Sequence, residues 1–169
     1  MAAVMRRLRE RPAAVVAEVG LVAGLYAVLT WALAPISYAQ FQFRLAEVLK
    51  PLVIWEPHLI PAFVIGNFLS NLPSPYAGAW ELGFMPLVNF VGATLCYLVG
   101  RRSPRSGATV YALITAAGVS LMLSVLSRAP YRVLFPWILG SELILLLLGV
   151  PIMRVVLKSV EPMRRRSTL

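Results

Sequence analysis

The sequence predicts an all-α integral membrane protein, a bundle of six transmembrane helices. Three observations lead there. Of 169 residues, 59% are hydrophobic and 14% charged, with a mean hydropathy of +0.78, more apolar surface than a soluble domain of this size can hide. The apolar residues fall in long runs that a bilayer solvates and water does not. The arginines cluster at the ends of those runs, where they set orientation.

The first segment runs over residues 13–34, between Pro12 and Pro35. Its apolar core is longer than that of a cleaved signal peptide, which predicts a retained first helix. The second, residues 45–55, is short and interrupted at Lys50-Pro51; the third covers residues 59–72. Pro73 to Gly78 reads as a turn. The remaining segments are expected at residues 82–100, 107–126 and 133–157, separated by the basic loop Arg101–Arg105 and the connection Ser127–Arg132.

Charge fixes the count. Arg6, Arg7, Arg9 and Arg11, then Arg101, Arg102 and Arg105, then Arg164, Arg165 and Arg166 all belong on the cytoplasmic side. Six helices place all three clusters there, whereas merging the second and third segments throws the 101–105 loop outside. The two short segments are then expected to meet at the Trp55-Glu56-Pro57-His58 break, sheltered by their neighbours. The domain reading is a basic cytoplasmic N-terminus (1–12), a membrane domain (13–157) and a basic cytoplasmic tail (158–169). A net charge of +9 so distributed points to the bilayer, not to nucleic acid.

This topology gathers Gln40, Gln42, Arg44, Glu47, Asn71, Ser74, Glu81 and Glu142 toward the outer side. Glu142 stands before an aliphatic run, Leu143 to Leu148. A carboxylate there costs roughly 2.5–3.5 kcal/mol on insertion scales, so it either faces a polar cavity or locks helices together. Arg44 and Glu47, three apart, share a helix face and fit a binding site or an interfacial ion pair. Asn71 and Glu81 flank the turn and fit either capping or recognition. On the first segment Gly20, Ala23, Gly24 and Ala27 form a small-residue face, suited to packing within the chain or docking on a partner's helices. Most aromatics read as an interfacial belt, with Phe43, Trp80 and Trp137 able to stack on a flat ligand.

Enzyme signatures are missing: no H-E-x-x-H, G-x-S-x-G or Walker A. One His (His58) and one Cys (Cys96) build neither a metal site nor a disulfide within the chain. No cofactor is expected.

The string Ile36-Ser37-Tyr38-Ala39-Gln40-Phe41-Gln42-Phe43-Arg44-Leu45-Ala46-Glu47 resembles the I-S-x-G-x-x-Q-F-R-x-S-E stretch of the QueT family, queuosine precursor transporters viewed as substrate-binding (S) components of energy-coupling-factor (ECF) importers. Pro57, Ile60-Pro61, Gly66 and Asn71-Leu72 resemble its T-P-x-x-I-P-G-x-x-x-G-x-x-I-A-N-L, and Ser74-Pro75 follows at the right distance. Gly140-Ser141-Glu142-Leu143 is similar to its G-x-G-E-L, and Leu21–Thr30 to its first helix. Met85-Pro86, Val88-Asn89-Phe90, Glu81 (for Asp) and Ser70 (for Ala) depart from the pattern. The resemblance implies an S-component fold and a 7-deazaguanine ligand. Glu142 or Glu81 would face the base edge, surrounded by Gln42, Phe43, Arg44, Glu47 and Asn71. It also implies docking of the Gly20, Ala23, Gly24, Ala27 face on a transmembrane coupling subunit that joins two cytoplasmic ATPases. The competing readings are an S component for another vitamin or nucleobase and a non-transporting membrane scaffold.

Overall fold

A computed structural model describes residues 11–37 and 43–166; Gln40 and Gln42, most of the basic N-terminus and the last three residues lie outside them. Helix α1 spans Pro12–Ala32 and is followed by a single turn, α2, at Ala34–Ser37. A 3₁₀ segment covers Leu45–Ile54. A second 3₁₀ turn at Pro57–Leu59 leads into α3, Ile60–Asn71. A π-helical stretch, Ala79–Phe84, runs straight into α4, Met85–Gly100. Helices α5, Pro104–Ser127, and α6, Tyr131–Arg166, complete the chain. No strand occurs among the described residues.

Prolines and caps explain the boundaries. Pro12, Pro61, Pro86 and Pro104 each stand in a first helical turn, where a missing N–H costs nothing. The Ser103 side chain caps α5 through the backbone N–H of Ser106. Arg128, with φ of 58°, ends α5 in the left-handed conformation.

Four helices are long and apolar enough to cross a membrane: Pro12–Ala32, Ala79–Gly100, Pro104–Ser127 and Tyr131–Val160. Their outward faces carry large apolar residues, among them Leu21, Leu87, Val133 and Val155, as lipid contact requires. The two short segments meet at the Trp55–Pro57 break, as the sequence predicts. The earlier one, however, is 3₁₀ rather than α, with Pro51 inside it. There His58, buried, ties the break to α1: Nε2 lies 2.7 Å from Glu18 Oε2 and Nδ1 3.4 Å from Glu56 Oε2.

Neighbours pack in the order α1–α3–α4–α5–α6, and the 3₁₀ segment lies chiefly on α6 while touching α1, α4 and α5. One position shows how close this is. A 3₁₀ helix bonds each N–H to the carbonyl three residues back, so Pro51, lacking an N–H, leaves the Val48 carbonyl without that bond. The α6 backbone comes up against this oxygen at Gly149, where a Cβ would stand 2.4 Å from it.

The core forms two apolar clusters. One includes Tyr26, Val53, Phe63, Ala93, Tyr111 and Leu146, the other Met85, Val88, Ala116, Val119, Met122 and Ile138. Along α4, α5 and α6 alike, Asn89, Thr115 and Glu142 fall between the two, so a polar layer separates them.

The small-residue face of α1 is divided. Ala23 and Ala27 are buried, each 2% exposed, and a Cβ at Gly66 of α3 would meet the Ala23 carbonyl at 3.1 Å. These two alanines are therefore packed within the chain in this structure. Gly20 and Gly24 have nothing within 4 Å of where a Cβ would stand.

Gly149→Ala is expected to destabilise the protein by about 1–3 kcal/mol, because the contact is with backbone that cannot rotate away. Gly20→Ala should leave stability unchanged or slightly raised. Thermal unfolding of both variants in the same detergent checks the pair.

Candidate functional site

The 3₁₀ segment positions the charged side chains. At three residues per turn, Arg44, Glu47 and Lys50 align on one edge, and all three are buried. The surrounding helices satisfy them in turn. Glu47 Oε1 accepts from Tyr26 OH of α1 at 2.5 Å. Lys50 Nζ pairs with Glu47 Oε2, donates to Thr115 Oγ1 of α5 at 3.4 Å, and stands 4.6 Å from the centre of the Tyr111 ring. Arg44 Nη1 donates to Asn71 Oδ1 of α3 at 2.8 Å, and its Nη2 lies 3.7 Å from Glu81 Oε1.

These side chains surround a narrow cavity lined by Arg44, Glu47, Lys50, Asn67, Met85, Asn89, Thr115, Val119 and Glu142. It has about 10 Å³ of space for the centre of a water molecule, room for roughly one water. Four of its walls are fixed by other partners. Asn89 Oδ1 accepts from Tyr111 OH at 3.1 Å and Nδ2 donates to the Met85 carbonyl at 3.1 Å; Glu47, Lys50 and Arg44 are held as described. Glu142 differs. It is 3% exposed, its Oε2 has no hydrogen-bond partner, and no cation stands within 4 Å of it among the described residues.

The structure thus brings Arg44, Glu47 and Glu142 to one cavity. Asn71 and Glu81 are buried but are not among the lining residues. They sit behind Arg44, and Asn71 Nδ2 donates to the Glu81 carbonyl at 3.2 Å. In this structure both contact the Arg44 guanidinium. Phe43 is half-buried and off the cavity. Trp137 is 63% exposed, and Trp80 packs on Phe84 at 5.2 Å; the apolar surfaces at the cavity are Met85 and Val119. Gln42 lies outside the described residues.

Sequence reasoning missed Lys50, Asn67 and Thr115 as site residues. Asn67 stands four residues before Asn71, a spacing that was a legible signal, whereas Lys50 lines up with Arg44 only in the 3₁₀ geometry.

The QueT transporter family model matches residues 16–158. The chain belongs to the QueT transporter family. No curated protein and no solved structure matches it. A QueT-family chain is a membrane transport protein rather than an enzyme, and the reading as a non-transporting scaffold gives way.

Lys50→Met should destabilise the folded protein by about 3–5 kcal/mol, since it leaves Glu47 buried without its cation. Adding Glu47→Gln removes the orphaned charge and should recover most of the loss. Unfolding of the two variants beside the parent measures it; a double variant no more stable than Lys50→Met would contradict the pairing.

Proposed function

We propose that this QueT-family protein is the substrate-binding component of an ECF importer, and that it takes up a queuosine precursor, a 7-deazaguanine base, from outside the cell membrane. The observation that carries the reading is Glu142: a buried carboxylate facing a polar cavity, its Oε2 without a hydrogen bond. Nitrogen heterocycles with adjacent N–H groups suit such an acceptor, as carboxylates accept from base amines. Asn67, Arg44 and Lys50 supply donors for a ring carbonyl from the other walls, and Met85 and Val119 supply apolar contact for the ring faces. A bicyclic base exceeds the present space, so binding requires the walls to part.

In this reading six segments cross the membrane. The 3₁₀ segment and α3 reach only about 20 and 18 Å by their rise per residue, short of a core of about 30 Å, and are sheltered by the four long helices. The three basic clusters put both termini in the cytoplasm. A transmembrane coupling subunit, joined to two cytoplasmic ATPases, docks on the open side of α1 at Gly20 and Gly24. A second reading, an S component for another base or vitamin, is favoured by one observation. Met85 and Asn89, both departures from the family pattern, line the cavity.

Purified protein is expected to bind a 7-deazaguanine saturably, and Glu142→Ala to weaken that binding roughly 10–100-fold, the worth of a charge-assisted bond. Unchanged binding in the variant defeats the role of Glu142, and saturable binding of an unrelated vitamin alone favours the second reading. For docking, Gly20→Trp should abolish uptake by cells carrying the whole importer while ligand binding stays intact. Normal uptake by that variant removes Gly20 from the interface.

A further inference from the structure

We propose that the hollow between the Arg101–Arg102 end of α4 and the start of α5 binds the phosphate headgroup of an anionic phospholipid. The site is separate from the polar cavity and asks only that the chain cross a membrane. The hollow has a volume of about 770 Å³ and is lined by Leu98, Val99, Arg101, Arg102, Ser103 and Ser106. Two guanidinium groups and two hydroxyls thus face the same space as two aliphatic side chains.

Charge in this part of the chain has no counterweight. From Leu82 to Ser141 there are five arginines and no acidic residue. Arg101 and Arg102 are exposed, and among the described residues no carboxylate stands within 4 Å of either. Arg101 rests over the ring of Tyr97, 5.8 Å from its centre, which keeps it beside α4. The Ser103 hydroxyl oxygen accepts from the N–H of Ser106 at 3.4 Å and from the Ser106 hydroxyl at 3.0 Å, so its own hydrogen is left to donate. Guanidinium groups and hydroxyls are the donors that phosphate oxygens take up, often two at a time from arginine.

Location selects the source of the phosphate. Helices α4 and α5 belong to two of the four helices long and apolar enough to cross a membrane, so the three residues that join them stand at a membrane face. Leu87, Val91, Leu95 and Leu98 are exposed at spacings of four, four and three, one stripe of α4 that leads to the hollow. At the helical rise it is about 16 Å long, roughly one leaflet of a hydrocarbon core of about 30 Å. A lipid with its phosphate on the arginines lays an acyl chain along that stripe, with Leu98 and Val99 at the junction. A soluble phosphate would leave the apolar half unused. The backbone beside the hollow is fixed: a Cβ at Gly107 would stand 2.6 Å from the Gly100 Cα and from the Cys96 carbonyl oxygen. In the topology proposed above this is the cytoplasmic leaflet.

The test measures phosphatidylglycerol against phosphatidylcholine of the same acyl chains, binding to the purified full chain in detergent, by native mass spectrometry. The parent should hold the anionic lipid at least about tenfold more tightly, roughly fivefold for each cation beside the headgroup. Raising ammonium acetate from about 0.05 to 0.5 M should narrow that preference, because exposed charges are screened. Arg101→Gln with Arg102→Gln should abolish it. Arg132→Gln with Arg154→Gln, which removes as much charge elsewhere, should keep it. Equal binding of the two lipids by the parent, or a preference indifferent to salt, overturns the proposal. Equal loss in both double variants overturns the site in favour of a diffuse field. Displacement by glycerol 1-phosphate at the concentration of the lipid overturns the lipid in favour of a soluble phosphate. A parent without preference, whose Arg101→Gln, Arg102→Gln form fails to join the other importer subunits, assigns the arginines to a protein partner and overturns it too. None of these outcomes bears on the polar cavity or its ligand.

Discussion

A ten-residue 3₁₀ helix carrying Glu47 and Lys50 along one edge, with Arg44 at its N-cap, is packed inside a bundle whose exterior is apolar, and the rest of the architecture answers to it. Such helices are poorly bonded and rarely run this long. This one is held by what surrounds it. Tyr26 of α1 bonds Glu47, Asn71 of α3 bonds Arg44, and Thr115 of α5 takes Lys50. The α6 backbone closes on the Val48 carbonyl at Gly149. Each helix that touches the segment gives a polar partner or a close backbone approach, so charges that would be costly in hydrocarbon are met inside the protein.

The two apolar clusters turn that arrangement into a site. They pack α4, α5 and α6 above and below one polar layer, and the polar side chains at that level (Asn89, Thr115, Glu142) look inward on the charged edge. Most of the polar atoms there are occupied by one another. The pattern is a polar wall of side chains held largely by one another, with Glu142 Oε2 among the atoms left without a hydrogen bond.

Much of this was legible in the sequence. Run lengths, prolines and basic clusters located the segments to within a few residues, including the break at Trp55–Pro57, except that the last helix continues to Arg166, nine residues past its expected end. Glu142 stood out because an aliphatic run does not tolerate a carboxylate without reason. Lys50 was hidden by helical period. In an α-helix it would point about 120° away from Arg44, whereas at three residues per turn the two coincide, and nothing in a ten-residue apolar stretch with an internal proline announces which geometry wins. The face of Gly20, Ala23, Gly24 and Ala27 was ambiguous for a different reason. Small residues permit close approach to any helix, so periodicity alone could not tell α3 from a partner; in the structure Ala23 and Ala27 are buried, Ala23 beside Gly66 of α3, while Gly20 and Gly24 stand open. Asn71 and Glu81 were rightly linked to Arg44's neighbourhood, but side-chain layering, which sets them behind the guanidinium, has no one-dimensional signature.

On the proposed reading, this QueT-family transporter is a receptor for a donor-rich flat solute, with the buried Glu142 carboxyl on the wall of its small polar cavity. Mass spectrometry of small molecules released from the protein after gentle purification from its own membranes tests that most directly. A released 7-deazaguanine, in amounts approaching one per chain, is the expected result. A reproducible stoichiometric species lacking a nitrogen heterocycle would contradict it.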